Sequence, residues 1–571
     1  MASFIKKFFS KKYSEHIIAG SIILISLFLG VVDLGNNNYW DDEAANAIFA
    51  KNYLATGTFT GWDGRNLCTY RNGGLLDKNL RSIEQPLGYI VAAAGFKLFG
   101  FLNSAGRFLF VLLGIASLLM LWLLLLEDFS KEPALRIYTL ILTAFSYSFL
   151  LNIRQCRYYA LCLFFGMAGY YLYRRAIKDD KLQWYLLSSI AFVLLFYSNA
   201  LICAAMVFGI ILVHMIFYAR HFTLKKCIKV SEAILLFALL TVPYALQHLI
   251  WERYDHATTN LLVPLGIKEV LYRNLMLLDL SGYLPIGMLI IGILAAKLLQ
   301  KKLSFPRSVY EWLVMILGYV LALSVISVKS GTGVAIRYFI SLLPFCSGVI
   351  GTLLYMFHGM GYGRYIGIFF LVVLLSSNAL SFHPPKKWLL PALITEFCND
   401  YETPYDAAVH YLKTNARKDD IVYSYPEYTM NVLHFYLGDN LKMQGLLRDS
   451  SPQYNETLSW VGLGPKYTHL SREKLKPVNG LKYIDESYPD WIVVFDYIKI
   501  PYGLLKYFSR GSFIYEIDPQ GKKYTILPVF GRDMTRPELT WHNFGPITRF
   551  DPRVNGVYIF RKTERKQLAK M

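Results

Sequence analysis

Apolar residues along this chain gather in long runs separated by short charged clusters. Phe108–Leu126 and Ala233–Trp251 contain no Asp, Glu, Lys or Arg. A run of ~18 or more apolar residues can cross the hydrocarbon core of a bilayer as a helix. The pattern predicts spans near residues 16–34, 107–126, 136–152, 158–175, 182–198, 200–219, 231–250, 281–299, 309–328, 336–357 and 365–382. The stretch 182–219 has no charged residue and is too long for one helix, so Ser198-Asn199 is the turn expected inside it. Pro86–Gly100 is apolar but short and contains Lys97, which reads as a juxtamembrane or re-entrant helix. The fold class this predicts is a polytopic α-helical membrane protein with about 11 transmembrane helices.

After Pro384-Pro385 the pattern changes. Residues 386–571 have no spanning run, more charge and frequent turn residues. Thr403–Ala416 reads as a helix capped by Thr403 with Pro404 at its first position. Asp420–Ser424 and Trp491–Phe495 read as strands, with a helix around Tyr428–Leu437. The expected organisation is a transmembrane domain over 1–382, including a long first outer loop at 35–106 with juxtamembrane helices. A soluble extracytoplasmic α/β domain follows over 383–571. No internal repeat is present, and no pair of broken helices in matching halves suggests a transporter.

Composition changes this picture in two ways. Of the 571 residues, 54% are hydrophobic, above the ~45–50% of soluble domains, so the bilayer is the solvent for most of the chain. The net charge of +19 would raise the question of nucleic acid. The basic residues, however, sit at the ends of apolar runs and form no stripe on a soluble segment, which argues against nucleic-acid binding. Lys131 and Arg136, Arg174 to Lys181, Arg220 to Lys229, Lys297 to Arg307, and Arg364 fall on alternate loops. The positive-inside rule then puts those loops and the N-terminus in the cytoplasm, and an odd number of spans puts the C-terminal part outside. Lys6, Lys7, Lys11 and Lys12 before Ile17–Val32 read as an uncleaved signal-anchor. The expected location is a bacterial inner (plasma) membrane. Seven cysteines include no C-x-x-C pair, which speaks against structural zinc, and a Cys68–Cys156 disulfide on the outer face is one pairing open to test.

Candidate chemistry concentrates on the outer segments. Trp40-Asp41-Asp42-Glu43 places three carboxylates in a row directly after the first span, followed by an alanine-rich stretch expected to be an amphipathic helix lying on the membrane. Acids favour helix N-termini in any case, and that bland reading competes evenly with a catalytic one. Moving a sugar off a phosphate needs a base for the acceptor hydroxyl, and a carboxylate tuned by neighbouring acids can supply it. The leaving phosphate needs positive charge. Arg154 and Arg157 with Tyr158 on the second outer turn, and Arg337 with Tyr338 ahead of Pro344, are the candidate anion contacts. Snorkelling to the interface is their competing explanation. Glu84 precedes Gln85-Pro86-Leu87-Gly88-Tyr89, which leads to Leu98-Phe99-Gly100 and Arg107.

The order of these features resembles the membrane-embedded C-type glycosyltransferases, in particular the branch of protein O-mannosyltransferases and lipid A aminoarabinose transferases. The motifs lie in residues 40–107, 154–161 and 337–344. The resemblance implies a polyprenyl-phosphate sugar donor and an inverting, single-displacement transfer. It places the essential base on Asp42, with Asp41 and Glu43 beside it, and substrate contacts on Glu84, Arg154, Arg157, Tyr158, Arg337 and Tyr338. Gln85 stands where relatives often have a basic residue, and the second outer turn lacks the acid that some relatives carry there. The small carboxylate set implies no cofactor and no required divalent metal. Expected partners are the polyprenyl-phosphate sugar, membrane lipids, and a glycan, lipid or protein acceptor. Two other readings stay open: a lipid-linked glycan flippase, which would need charges deep in the spans, and an oligosaccharide ligase with a pyrophosphate-linked donor.

Overall fold

A computed structural model of the chain describes residues 11–68, 76, 80–219, 223–247, 266–298, 305–330, 336–357, 362–382, 388–391, 393–394, 404–425, 429–443, 489–495, 513–517 and 557–562. Lys6 and Lys7 of the signal-anchor, the outer segment from Trp251 to 265, Pro384-Pro385, Cys398, the Thr403 cap and Tyr428 lie outside the described residues.

The helices in chain order are α1 (Lys11–Val31), α2 (Asp41–Thr56), α3 (Leu87–Phe99), α4 (Asn103–Asp128), α5 (Pro133–Ala144), α6 (Tyr147–Ile153), α7 (Tyr159–Asp179) and α8 (Leu182–Ser198). They continue with α9 (Ala200–Phe217), α10 (Leu224–Gln247), α11 (Ile267–Leu280), α12 (Ile286–Leu298), α13 (Arg307–Ser330), a 3-10 turn at Ile336–Leu342, α14 (Leu343–Phe357) and α15 (Gly363–Ser376). Every predicted span falls on one of these elements, and the chain is a multi-pass helical membrane protein. Among the described residues, six helices are long and apolar enough to cross alone. Taken together, α5 and α6, bent by 53° at Phe145-Ser146, are long and apolar enough for a seventh. The predicted spans at 182–198, 281–299 and 365–382 are apolar helices shorter than that, and α7 ends in charged residues. At 13 residues α3 reaches only ~20 Å, too short to cross ~30 Å of hydrocarbon.

Two compact units emerge from the contacts: Met1–Val32 with Phe110–Thr395, and Asp33–Leu109 with Glu396–Met571. The first outer segment thus groups with the C-terminal segment.

The first unit is the helical bundle. Tyr138, Leu142, Met288, Ile350, Leu354 and Leu371 form an apolar core shared by α5, α12, α14 and α15. Gly209 and Gly318 let α9 and α13 approach closely: a Cβ on Gly318 would stand 3.0 Å from Gly209 Cα. Small residues permit such backbone contact where lipid offers no hydrophobic drive between helices. On α10, Ile234, Leu235 and Leu239 are 58–63% exposed, an apolar surface that only a lipid solvent tolerates. Charges gather at span ends. Arg174 pairs with Asp128 at 2.8 Å and with Glu311, Arg175 with Glu127 at 2.7 Å, and Arg136 with Glu15 at 2.6 Å.

In the second unit, α2 and α3 pack together, and the C-terminal part adds α16 (Pro404–Asn415), α17 (Met430–Leu437) and five strands. These are β1 (Ile421–Tyr425), β2 (Lys442–Met443), β3 (Trp491–Phe495), β4 (Phe513–Ile517) and β5 (Val557–Lys562), in the order β2-β1-β3-β5-β4. The β1 strand is parallel to β2 and β3, with Val422 opposite Trp491, while β5 is antiparallel to β3 and β4. The α/β reading holds for these elements. The first outer segment is bound into this fold by hydrogen bonds. Asn66 accepts from Met443 N at 2.8 Å and donates to Gly438 O at 2.8 Å, and Leu67 N donates to Met443 O at 3.1 Å. Cys68 donates its thiol to Asn431 Oδ1 at 3.0 Å, so the disulfide with Cys156 weighed from the sequence is not formed.

Candidate active site

The candidate acidic residues belong to the second unit. Trp40 opens α2, and Asp41, Asp42 and Glu43 fill its first turn. There the unpaired N–H groups and the helix dipole favour negative charge. Asp42 N donates to Asp41 Oδ1 at 2.7 Å. All three acids are buried, at 6%, 3% and 0% exposure. Every residue from Asp41 to Ala50 is buried, and this corrects the expected amphipathic helix lying on the membrane. Alanines at 44, 45, 47 and 50 let the first ten residues of α2 be enclosed on all sides, which a surface helix is not, while its last turn from Tyr53 is exposed.

Glu43 is held differently from its neighbours. Arg107 donates Nε to Oε1 at 2.9 Å and Nη2 to Oε2 at 2.7 Å, a buried bidentate pair. The same guanidinium donates to the carbonyls of Leu34, Asn37 and Asn38 and lies 4.9 Å over the Tyr39 ring. Arg107 therefore fixes the chain just ahead of the acids. Its sequence signal was its place after Leu98-Phe99-Gly100, but nothing in the sequence pairs it with Glu43.

Tyr39, Asn103 and Tyr436 complete that support and were missed in the sequence. Tyr39 N donates to Tyr436 Oη at 2.7 Å, and Tyr436 Oη donates to Asn103 Oδ1 at 2.6 Å. Burial pushes the Tyr436 phenol well above its ordinary pKa, so it stays a neutral donor, even with Arg107 pulling the other way. Glu84 accepts from Tyr89 Oη at 2.9 Å, and Tyr89 stacks beside Phe49 of α2 at 5.1 Å.

The candidate anion contacts belong to the helical bundle. Arg157 is buried and lies 5.1 Å from the centre of the Tyr158 ring, and Arg337 lies 5.6 Å from that of Tyr338. Tyr158 sits within electrostatic reach of Arg157, Arg337 and Tyr338 together. Tyr319 Oη donates to Tyr338 O at 2.5 Å and Ser341 Oγ to Cys162 O at 3.1 Å, fastening the 3-10 turn near the start of α7. The structure thus brings together two arginines and two tyrosines that are 180 residues apart in sequence. Two guanidiniums carried on or beside contacting elements suit an anionic phosphate. Arg154 departs from this group. Its Nη1 donates to Leu29 O, Gly30 O and Val32 O at 2.9, 3.3 and 2.6 Å. It caps the C-terminal end of α1, where a cation is favoured. Among the described residues no cluster of three or more His, Cys, Asp or Glu side chains could hold a metal ion.

Residues 84–251 match the family described as dolichyl-phosphate-mannose-protein mannosyltransferase. Over that stretch the resemblance read from the motifs is borne out. Among solved structures, the chain is similar to apo ArnT from Cupriavidus metallidurans, with TM-score 0.49, 12% identity and coverage of 89% of this chain and 96% of that one. ArnT bound to undecaprenyl phosphate gives 0.47, 13%, 86% and 95%. The archaeal oligosaccharyltransferase AglB from Archaeoglobus fulgidus, in complex with an inhibitory peptide and a dolichol-phosphate, gives 0.47, 10%, 85% and 70%. No curated protein matches the chain.

Proposed function

We propose that this protein is a membrane glycosyltransferase that moves a sugar from a polyprenyl-phosphate donor to an envelope glycan, lipid or protein acceptor. The reading rests on the first turn of α2, where a buried carboxylate pair stands beside a third acid already neutralised by Arg107. The family match over 84–251 supports the reaction class. In the proposed reaction Asp42 takes the proton of the acceptor hydroxyl. The acceptor oxygen attacks the anomeric carbon as the carbon–oxygen bond to phosphate breaks, which inverts the configuration. The phosphate leaves with the electron pair, and Arg157 and Arg337 stabilise its charge. Asp41 and Glu84 shape the acidic surroundings, and no metal takes part. The loop charges favour a cytoplasmic N-terminus and an extracytoplasmic C-terminal segment in a bacterial plasma membrane.

The test is transfer of radiolabelled sugar from membrane-supplied polyprenyl-phosphate sugars by wild type and Asp42→Asn. Loss of at least ~10²-fold in the variant, at unchanged folded yield and with chelator present throughout, is the expected result. Unchanged transfer by Asp42→Asn removes Asp42 from the chemistry. Loss on chelation restored by manganese or magnesium removes the metal-free mechanism. No transfer by wild type from any carrier favours a flippase.

A further inference from the structure

Within the bundle, the C-terminal half of α7 together with α8, α9 and α10 leaves a cavity of about 440 Å³, away from the turn that carries Arg157. Tyr173, Phe192, Ile210, Ile211, His214 and Ala233 are among its walls. Its size falls within the ~300–1,000 Å³ of small-molecule sites. Three polar contacts of its lining are made within the protein, while the Tyr185 hydroxyl has no hydrogen bond among the described residues. Ser188 Oγ donates to Gly169 O at 2.9 Å, Ser189 Oγ to Ala233 O at 2.7 Å, and Tyr173 Oη shares a hydrogen bond with His214 Nδ1 at 3.0 Å. The walls therefore offer an occupant mainly carbon.

The rim is different. Lys226 precedes the lining residue Val230 by one helical turn on α10, and its charge reaches His214. Lys229 is met by Asp180 at 3.0 Å. Lys225, which is exposed, and Lys226, half-buried, have no acidic partner among the described residues. A hydrocarbon-lined cavity with the Lys226 ammonium at its edge and the exposed Lys225 next to it in sequence suits an amphiphile with an anionic head and an apolar tail.

We propose that this cavity holds one acyl chain of an anionic phospholipid, with its phosphate at Lys225 and Lys226. The site lies at the end of the spans that carries the basic loops, which is the cytoplasmic end in the orientation proposed above. The binding itself does not depend on that orientation or on the transfer reaction.

The experiment is native mass spectrometry of the purified full chain in detergent, with phosphatidylglycerol and phosphatidylcholine of identical chains, alongside thermal unfolding. Wild type is expected to retain phosphatidylglycerol roughly tenfold better and to be stabilised by it alone. Lys225→Glu with Lys226→Glu should abolish the preference, and Lys225→Arg with Lys226→Arg should keep it. Ile211→Trp, filling the cavity from a half-exposed position, should reduce adducts of both lipids. Equal retention of the two lipids by wild type overturns the proposal, as does a preference that survives charge reversal. Unaltered adducts in Ile211→Trp place the chain elsewhere and overturn it too. Preferential retention of undecaprenyl phosphate over phosphatidylglycerol reassigns the site to a carrier lipid.

Discussion

Asp42 and Glu43 are adjacent in the first turn of α2, yet their environments assign them different work. Glu43 carries no solvent exposure and has both oxygens on Arg107, so it holds the turn in place. Removing it leaves a buried guanidinium without its anion. Glu43→Ala is therefore expected to cost ~3–5 kcal/mol, read as a lowered thermal midpoint in detergent, and a midpoint unchanged from wild type would refute this role. The arginines of the second outer turn divide in the same way. Arg154→Ala removes a cap and should lower stability by ~1–2 kcal/mol while leaving kcat/KM for the donor within a few-fold of wild type. Arg157→Ala should lower kcat/KM by ~10²-fold at little cost in stability. In the sequence the two arginines look alike, because both run against the charge bias of outer loops. Only the carbonyls of Leu29, Gly30 and Val32, more than a hundred residues away, separate them.

The helix α2 shows what a hydrophobic pattern encodes and what it leaves open. Apolar residues at helical spacing and acids at the start were enough to predict the helix and its beginning. The same spacing fits a surface helix and an enclosed one, because alanine counts as apolar on every face. The enclosure comes from partners remote in sequence, such as Gly88, whose added Cβ would stand 3.1 Å from Asn46 Oδ1. A substitution distinguishes the two situations. Ala47 is fully buried, so Ala47→Leu should destabilise the protein by ~1–3 kcal/mol in thermal unfolding, whereas a helix lying on a membrane would accept the larger side chain. The spans were more legible than α2, since length and apolarity alone define them. Their breaks were less so: the bend between α5 and α6 leaves no proline or charge in Phe145-Ser146 to announce it.

At the scale of the whole molecule, the division of the chain was the least legible feature. Composition changes at Pro384-Pro385, but contacts join 33–109 with 396–571. That grouping combines helix packing, with Phe435 against Tyr39 and Phe96, and single polar residues in a segment with no periodicity. Asp63 is one of them. It accepts from Asn66 N at 2.6 Å and shares a hydrogen bond with His434 Nε2 at 3.0 Å. Burial acts to raise its pKa, but the His434 hydrogen bond and charge, with the Asn66 donors, outweigh burial and hold it well below the ordinary 3.8. A carboxylate with a lowered folded pKa contributes stability that is complete above its unfolded value and is lost as pH falls through the folded one. Between about pH 5 and pH 2 the unfolding midpoint of wild type should therefore fall more steeply than that of Asp63→Asn. Parallel curves for the two proteins would show that this pair does not anchor the unit.

The discontinuous make-up of that unit also sets an order of events during synthesis. The segment that carries Asp42 leaves the ribosome early, but Asn431, Gly438 and Met443, on which it is fastened, are made only after residues 110–395. At ~5–20 residues per second that interval lasts roughly 15–60 s. Throughout it, the acids of α2 exist without Tyr436 and the C-terminal contacts that fix the chain ahead of them. A nascent protein of this kind gains the C-terminal support of its acidic turn only after residues 110–395 have been made. Premature termination within the bundle would then yield a chain that keeps the Glu43–Arg107 pair but lacks the Tyr436 and Asn431 contacts around it.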